Sequence, residues 1–164
     1  MSDVHVRSAE RGDLGWMLEL NTRFEALLSP LDRAGIEALV GASFAARVAE
    51  PRAALLIAFD QSADYDSPNF LWFRERYPKF VYVDRVAVNP DRGLKGVGTA
   101  LYDDLSALAR SVGYPMICAE VNTDPPNDQS IAFHERRGFA TVGEARLEDR
   151  GKSVRYFARD LGAA

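Results

Sequence analysis

A chain of 164 residues, 47% hydrophobic and 27% charged, is the size of one globular domain and can bury roughly two thirds of the surface it exposes when unfolded. Its net charge of -4 excludes broad nucleic-acid binding, which needs a basic surface to displace counterions from phosphates. The single cysteine, Cys118, excludes an internal disulfide framework, and the two histidines, His5 and His134, form no cluster with metal-ligand spacing.

No stretch approaches the ~18 apolar residues of a membrane span, and the N-terminal run has no basic region leading into an apolar one. These features predict a cytoplasmic protein, monomer or homodimer, with one domain over residues 1–164 and a small-molecule partner. Metal, membrane and nucleic acid are not expected.

Along the chain, "DVHVRSA" alternates Val4 and Val6 with polar neighbours, as a half-buried strand does. "AERGDLGWMLELNTRFEALLS" sets Leu14, Met17, Leu18, Leu20, Phe24, Leu27 and Leu28 at mostly helical spacings, and "LDRAGIEALVGAS" predicts a second helix. "SFAARVAE" and "RAALLIAFD" read as a strand pair joined across Glu50-Pro51. After the polar loop "DQSADYDSPN", the aromatic stretch "FLWFRERYPKF" predicts a short helix before Pro78.

"FVYVDRVAV" is the strongest strand, rich in β-branched and aromatic residues and ended by Asn89-Pro90-Asp91. A glycine loop leads into a helix over 96–112 with an apolar stripe of Leu101, Leu105, Leu108 and Val112, stopped by Gly113. The strand "PMICAEV", the loop "NTDPPN", the helix "DQSIAFHERR" and strands near "FATVGEARLE" and "KSVRYFARDL" complete the chain. The order implies a mixed α+β sheet domain, with the strands either side of the 96–112 helix parallel.

The segment "NPDRGLKGVGTALYDDL" asks what its glycines serve. It is not a P-loop, because Lys95 precedes its glycine, and it is not a dinucleotide fingerprint, because Leu101 stands where the third glycine would be. Two functions remain. Gly93, Gly96 and Gly98 can simply make a tight strand-to-helix turn. Alternatively, the free N–H groups of a helix N-terminus hold an anion there, with Arg92 and Lys95 adding positive charge.

The loop "P-x-x-G-x-x-G-x-G" (Pro90 to Gly98), followed at a distance by "N-x-x-S-x-x-F-H-E-x-x-G-F" (Asn127 to Phe139), resembles the GNAT superfamily of N-acyltransferases over about Tyr82 to Glu144. The resemblance implies a GNAT-like α+β fold, a central twisted and mostly antiparallel sheet with one parallel strand pair and about four helices. It further implies an acetyl-CoA-dependent N-acetyltransferase that acylates a primary amine of a small-molecule or amino-acid-like acceptor by direct attack in a ternary complex.

By the same resemblance, backbone amides of Gly93, Leu94, Lys95, Gly96, Val97, Gly98 and Thr99 hold the pyrophosphate of acetyl-CoA, or of another acyl-CoA. Gly93 departs from the family's usual Gln or Arg, leaving side-chain contact to Arg92 or Lys95. The main chain at Val86 and Val88 meets the pantetheine arm and thioester, Asn127 touches that arm, and Phe133 packs near it. His134 stands where many relatives carry a tyrosine that protonates the departing thiolate; it either takes that role or is a polar helix residue without chemistry.

Asp84 is the first candidate for general base, since strand alternation sets it on the face of Val86 and Val88; Glu120 is the second. Trp72, Phe73, Tyr77 and Tyr82 are candidates for an acceptor pocket, with Arg74 or Arg76 meeting a carboxylate, while core packing is the alternative for Tyr82. Cys118, on a buried strand, is expected to be inert. The departures at Gly93 and His134 keep a second function open, an acyl-CoA-binding sensor without turnover.

Overall fold

The computed structural model describes residues 4–26 and 28–162. The elements are β1 (His5–Ser8), α1 (Leu14–Arg23), α2 (Arg33–Ala42), β2 (Ala45–Glu50), β3 (Ala54–Asp60), α3 (Pro68–Arg74), β4 (Val81–Val88), α4 (Val97–Val112), β5 (Met116–Asp124), α5 (Asp128–Arg136), β6 (Ala140–Leu147) and β7 (Lys152–Asp160). The seven strands form one sheet in the order β1-β2-β3-β4-β5-β7-β6. Only β4 and β5 are parallel, as the helix between them predicted. Among the described residues five helices flank the sheet, against the four or so that the resemblance implied, and α3 is the short helix expected before Pro78.

The sheet is covered on both faces, which is why β3 reads as a continuous apolar run: Ala54 to Phe59 have no exposed surface. On one face α4 contributes Val97, Leu101, Tyr102, Leu105 and Ala109. On the other, α1, α2 and α3 supply Leu14, Met17, Leu20, Ile36, Phe70 and Phe73. Of the expected α4 stripe, Val112 is 54% exposed in the last turn, because the sheet ends before it.

Helix α1 is shorter than its periodicity suggested, beginning after a 3-10 turn at Arg11–Asp13 and ending at Arg23. Two polar demands explain the ends. The Asp13 carboxylate accepts from Arg7 and from the Glu10 N–H, holding the chain out of the helix. At the other end Asn21 Oδ1, still within the helix, accepts from the buried Arg85 at 2.8 Å, and the chain turning away after Arg23 brings Ser29 Oγ to the same guanidinium at 2.9 Å. Leu27 of the expected stripe lies outside the described residues.

The strand β4 carries a bulge that positions the site. Ile57 pairs with Arg85 and Ala58 with Val83, so Asp84 has no partner on β3. A bulge inserts a residue, bends the strand and resets the alternation. Val81 and Val83 therefore share a face with Val86 and Val88, and Tyr82 shares the opposite one with Ala87. Asp84 does not continue the row of Val86 and Val88, as simple alternation had it. Beyond the bulge β4 and β5 separate: their pairing stops at Val83↔Ala119, while the strands run on to Val88 and Asp124.

Among the described residues no helix is long and apolar enough to cross a membrane, and no group of three His, Cys, Asp or Glu side chains is placed to hold a metal ion.

Candidate active site

The separation of β4 and β5 opens a cleft of about 600 Å³. Its walls are Val83 to Val88, Ala119 to Asn122, Gly98 and Tyr102 of α4, and Asn127, Ser130, Phe133 and His134 at α5, with Phe24 and Leu28 across the mouth. The expected residues Asp84, Val86, Val88, Gly98, Glu120, Asn127, Phe133 and His134 thus come together from four separate elements.

The loop has the geometry of an anion cradle. Gly93 and Gly96 have φ of 63° and 74°, the left-handed region where a side chain is strained. Gly96 is the N-cap of α4, and the N–H of Ala100 closes the first turn onto Gly96 O at 2.9 Å. The amides of Val97, Gly98 and Thr99 precede that bond and have no intrahelical acceptor. Val97 anchors the turn by burying its side chain, and Leu94 packs against the same core. Arg92, Lys95 and Thr99 are exposed. Arg23 binds Asp91 at 2.8 Å, tying the loop to the end of α1.

A Cβ on Gly98 would sit 3.6 Å from the Phe133 ring, in ordinary contact, so the glycine keeps the passage between α4 and α5 open. Asn127 caps α5 by accepting from Ser130 N at 3.3 Å. These free amides, the unpaired edge of β4 and the cleft between them suit a phosphate-bearing thioester with a long, narrow arm.

The two carboxylates differ in kind. Asp84 accepts from Arg85 Nε at 2.8 Å and from Tyr65 Oη at 2.6 Å, and the Asp84 and Arg85 side chains are each 4% exposed. It is neutralised in place. Glu120 has no cationic partner; Tyr82 donates its hydroxyl to Oε2 at 2.7 Å. Burial pushes the Glu120 carboxyl up to about 8, the negative charge of Asp84 adds to the rise, and the Tyr82 hydrogen bond opposes it.

His134 is 5% exposed and forms a pair that the sequence did not announce. Its Nδ1 lies 2.8 Å from Ser130 O. A carbonyl only accepts, so Nδ1 carries the hydrogen and Nε2 accepts from the Tyr102 hydroxyl at 2.7 Å. Burial lowers the histidine below its ordinary value and raises the Tyr102 phenol. The available signal for Tyr102 was its place one turn after Gly98 on the same face of α4, hidden by the apolar stripe around it. Cys118 is fully buried with its thiol pushed up by burial, an inert core residue.

The aromatic candidates take another position. Phe73 and Tyr82 are fully buried, and Tyr82 presents only its hydroxyl toward Glu120. Trp72 stacks on Tyr156 with centroids 4.1 Å apart and fills the space over Gly143, and Tyr77 packs on Phe73. Trp72, Phe73, Tyr77 and Tyr82 line neither the cleft nor the polar cavity that adjoins it; Phe73 and Tyr82 lie in the core beneath α3 and Trp72 and Tyr77 pack against it, where their apolar area is removed from water. Arg74 and Arg76 lie over Phe70 and Trp72.

In place of an aromatic pocket, a second and polar cavity of about 380 Å³ adjoins the cleft, sharing Leu28, Asp84, Arg85, Glu120 and Asn122 with it. Ser29, Tyr65 and Asn69 line its interior, and Glu25, Arg150 and Lys152 its rim.

Residues 65–139 match the model of the acetyltransferase (GNAT) family. No curated protein matches the chain. Among solved structures, the ribosomal-protein-S18-alanine N-acetyltransferase from Escherichia coli superposes with a TM-score of 0.70 at 18% identity, over 98% of this chain and 96% of that one. The protein yncA from Salmonella typhimurium, solved with its cofactor acetyl-CoA, gives 0.72 at 19%, over 99% and 96%. Arabidopsis thaliana NAA60, in complex with a bisubstrate analogue, gives 0.76 at 13%, over 98% and 99%. The chain thus shares its fold with these acetyltransferases along nearly its whole length, and its match to the GNAT family model spans the diverging strands, the loop and α5.

Proposed function

We propose that the protein transfers an acetyl group from acetyl-CoA to a primary amine of a small, amino-acid-like acceptor, by direct attack within a ternary complex. The observation that carries this is the position of Glu120, a carboxyl without a cationic partner at the junction of the two cavities. Acetyl-CoA would supply the activated acyl group and the thiol leaving group. Everything else falls to this chain.

The amides of Val97, Gly98 and Thr99, with Arg92 and Lys95 beside them, hold the pyrophosphate. The free edge of β4 from Val86 to Val88 pairs with the arm and aims N–H groups at the thioester carbonyl, where one donor is worth about 3 kcal/mol. An alkylammonium with pKa ~10.4 must lose a proton before attack, costing about 4.6 kcal/mol at pH 7. Glu120, raised to about 8, is a stronger base than an ordinary carboxylate and sits where the second cavity delivers an amine to the cleft. Asp84, held by Arg85, raises Glu120 rather than acting as the base itself. The Tyr102 hydroxyl, on the cleft wall and held by His134 Nε2 in the free protein, turns from the histidine to donate to the departing thiolate.

Calorimetric titration with acetyl-CoA and thiol release over a panel of amines and amino acids test this function. Binding together with acceptor-dependent release is expected. Binding with no release on any acceptor would make the protein an acyl-CoA sensor, and no binding at millimolar ligand would defeat both functions.

A further inference from the structure

The second cavity has two chemically different ends. At the inner end, shared with the cleft, the charges of Asp84 and Arg85 cancel, and Arg85 is also saturated by Asn21 and Ser29. Among the described residues at that end, Glu120 is the carboxyl left without a cation, free to meet an incoming amine. At the outer end the turn joining β6 to β7 carries Arg150 and Lys152 on either side of Gly151, whose φ of 61° tightens the turn.

These two cations are unneutralised. Arg150 has no hydrogen bond or ion pair among the described residues, and Lys152 Nζ donates only to Ala26 O at 3.3 Å. On the same hairpin Arg146 and Arg155 are paired with Asp124 and Glu144, so open charge is not the rule there. Glu25, beside the Ala26 carbonyl that Lys152 reaches, forms an ion pair with neither cation. A polyamine entering this cavity would bring its second charge against Arg150 and Lys152. An anion would complete them, and a guanidinium fork matches carboxylate or phosphate oxygens.

We infer that the acceptor is a small amine bearing an anionic group, a carboxylate or a phosphate, which Arg150 and Lys152 hold while the amine meets Glu120. The volume of about 380 Å³ lies at the small end of ligand pockets, the size of an amino acid rather than of a long chain. The inference rests on the acetyl-transfer function proposed for the same cleft.

The test compares matched pairs of acceptors: ω-amino acids of increasing length against their carboxamides, and 2-aminoethyl phosphate against ethanolamine. For at least one pair, kcat/KM of the charged member exceeds that of the neutral one by about tenfold or more, the worth of one charge-assisted contact. Which pair responds distinguishes carboxylate from phosphate. In the variant Arg150→Gln/Lys152→Gln, folded as judged by an unchanged thermal midpoint, that ratio falls to near one. A ratio near one in the parent protein, or one that persists in the variant, overturns the inference.

Should acetyl-CoA bind and no acceptor turn over, the transfer function fails separately, and calorimetry of the CoA-loaded protein with the same pairs decides the inference. Preferential binding of the charged member, lost in the variant, upholds it; equal or absent binding overturns it.

Discussion

The Tyr82 hydroxyl on β4 donates to Glu120 Oε2 on β5 at 2.7 Å, one residue beyond the last pairing of those strands at Val83↔Ala119. This bond bridges the point where the sheet splits. Behind it lies the fully buried Tyr82 in the α3 core, and in front of it are the two cavities. It holds a carboxyl of raised proton affinity at the point where the proposed function brings thioester and amine together.

Glu120→Gln should lower turnover about a hundredfold or more, the usual worth of a general base, with little change in acetyl-CoA affinity. Because the base works only when ionised, the rate of the parent protein should rise with pH and level off above about 8, and the variant should lack this limb. Stability runs the other way. The folded carboxyl keeps its proton at pH values where the unfolded one, near ~4.3, has lost it, so this contribution is present below the unfolded value and lost as pH rises through about 8. Urea unfolding at pH 9 should find Glu120→Gln gaining stability relative to the parent.

Asp84→Asn separates a base from a buried ion pair. Leaving Arg85 without its carboxylate should cost about 3 kcal/mol in urea unfolding, as removal of one partner of a buried pair does. Because the Asp84 charge raises the Glu120 carboxyl, the midpoint of the rate profile should move to lower pH. Loss of the pH-dependent limb altogether would instead assign the base to Asp84.

His134→Phe should reduce turnover at least tenfold more than it weakens acetyl-CoA binding. Tyr102→Phe leaves the buried Nε2 without its donor, at about 1 to 3 kcal/mol of stability. Since burial lowers the histidine, the imidazole is neutral at pH 7, and the rate profile should show no descending limb between about pH 6.5 and 8. A depressed folded value contributes stability that is present above the unfolded value, near ~6.5, and lost as pH falls, so the parent protein should lose more stability than His134→Phe on the acid side.

Gly98→Trp should abolish acetyl-CoA binding in calorimetry while leaving the fold intact, because the residue is half-exposed and faces Phe133 across an open passage. Unaltered affinity would reduce the loop to a strand-to-helix turn.

The glycine loop, the helix it caps, the parallel strands on either side and the two family motifs were legible in the sequence. Left-handed glycines, an N-cap and the alternation of a strand are decided by residues next to one another in the chain, and local chemistry is what a sequence writes openly. The tertiary structure decided which of those residues are free to act. Asp84 and Glu120 looked alike as strand carboxylates, but the bulge hands Asp84 to Arg85, which also binds Asn21, 64 residues away, and leaves Glu120 with the uncharged partners Tyr82 and Asn69. Trp72, Phe73, Tyr77 and Tyr82 had pocket-like chemistry, yet the β6–β7 hairpin covers Trp72 and Phe73 through Tyr156 and Gly143, and Phe73 and Tyr82 end in the core with Trp72 and Tyr77 packed against it. Arg150 and Lys152 carried no motif, and only the return of that hairpin sets them at the mouth of a cavity. Desolvation and charge pairing depend on distant contacts, and they, rather than residue type, determined the chemistry left available to the site.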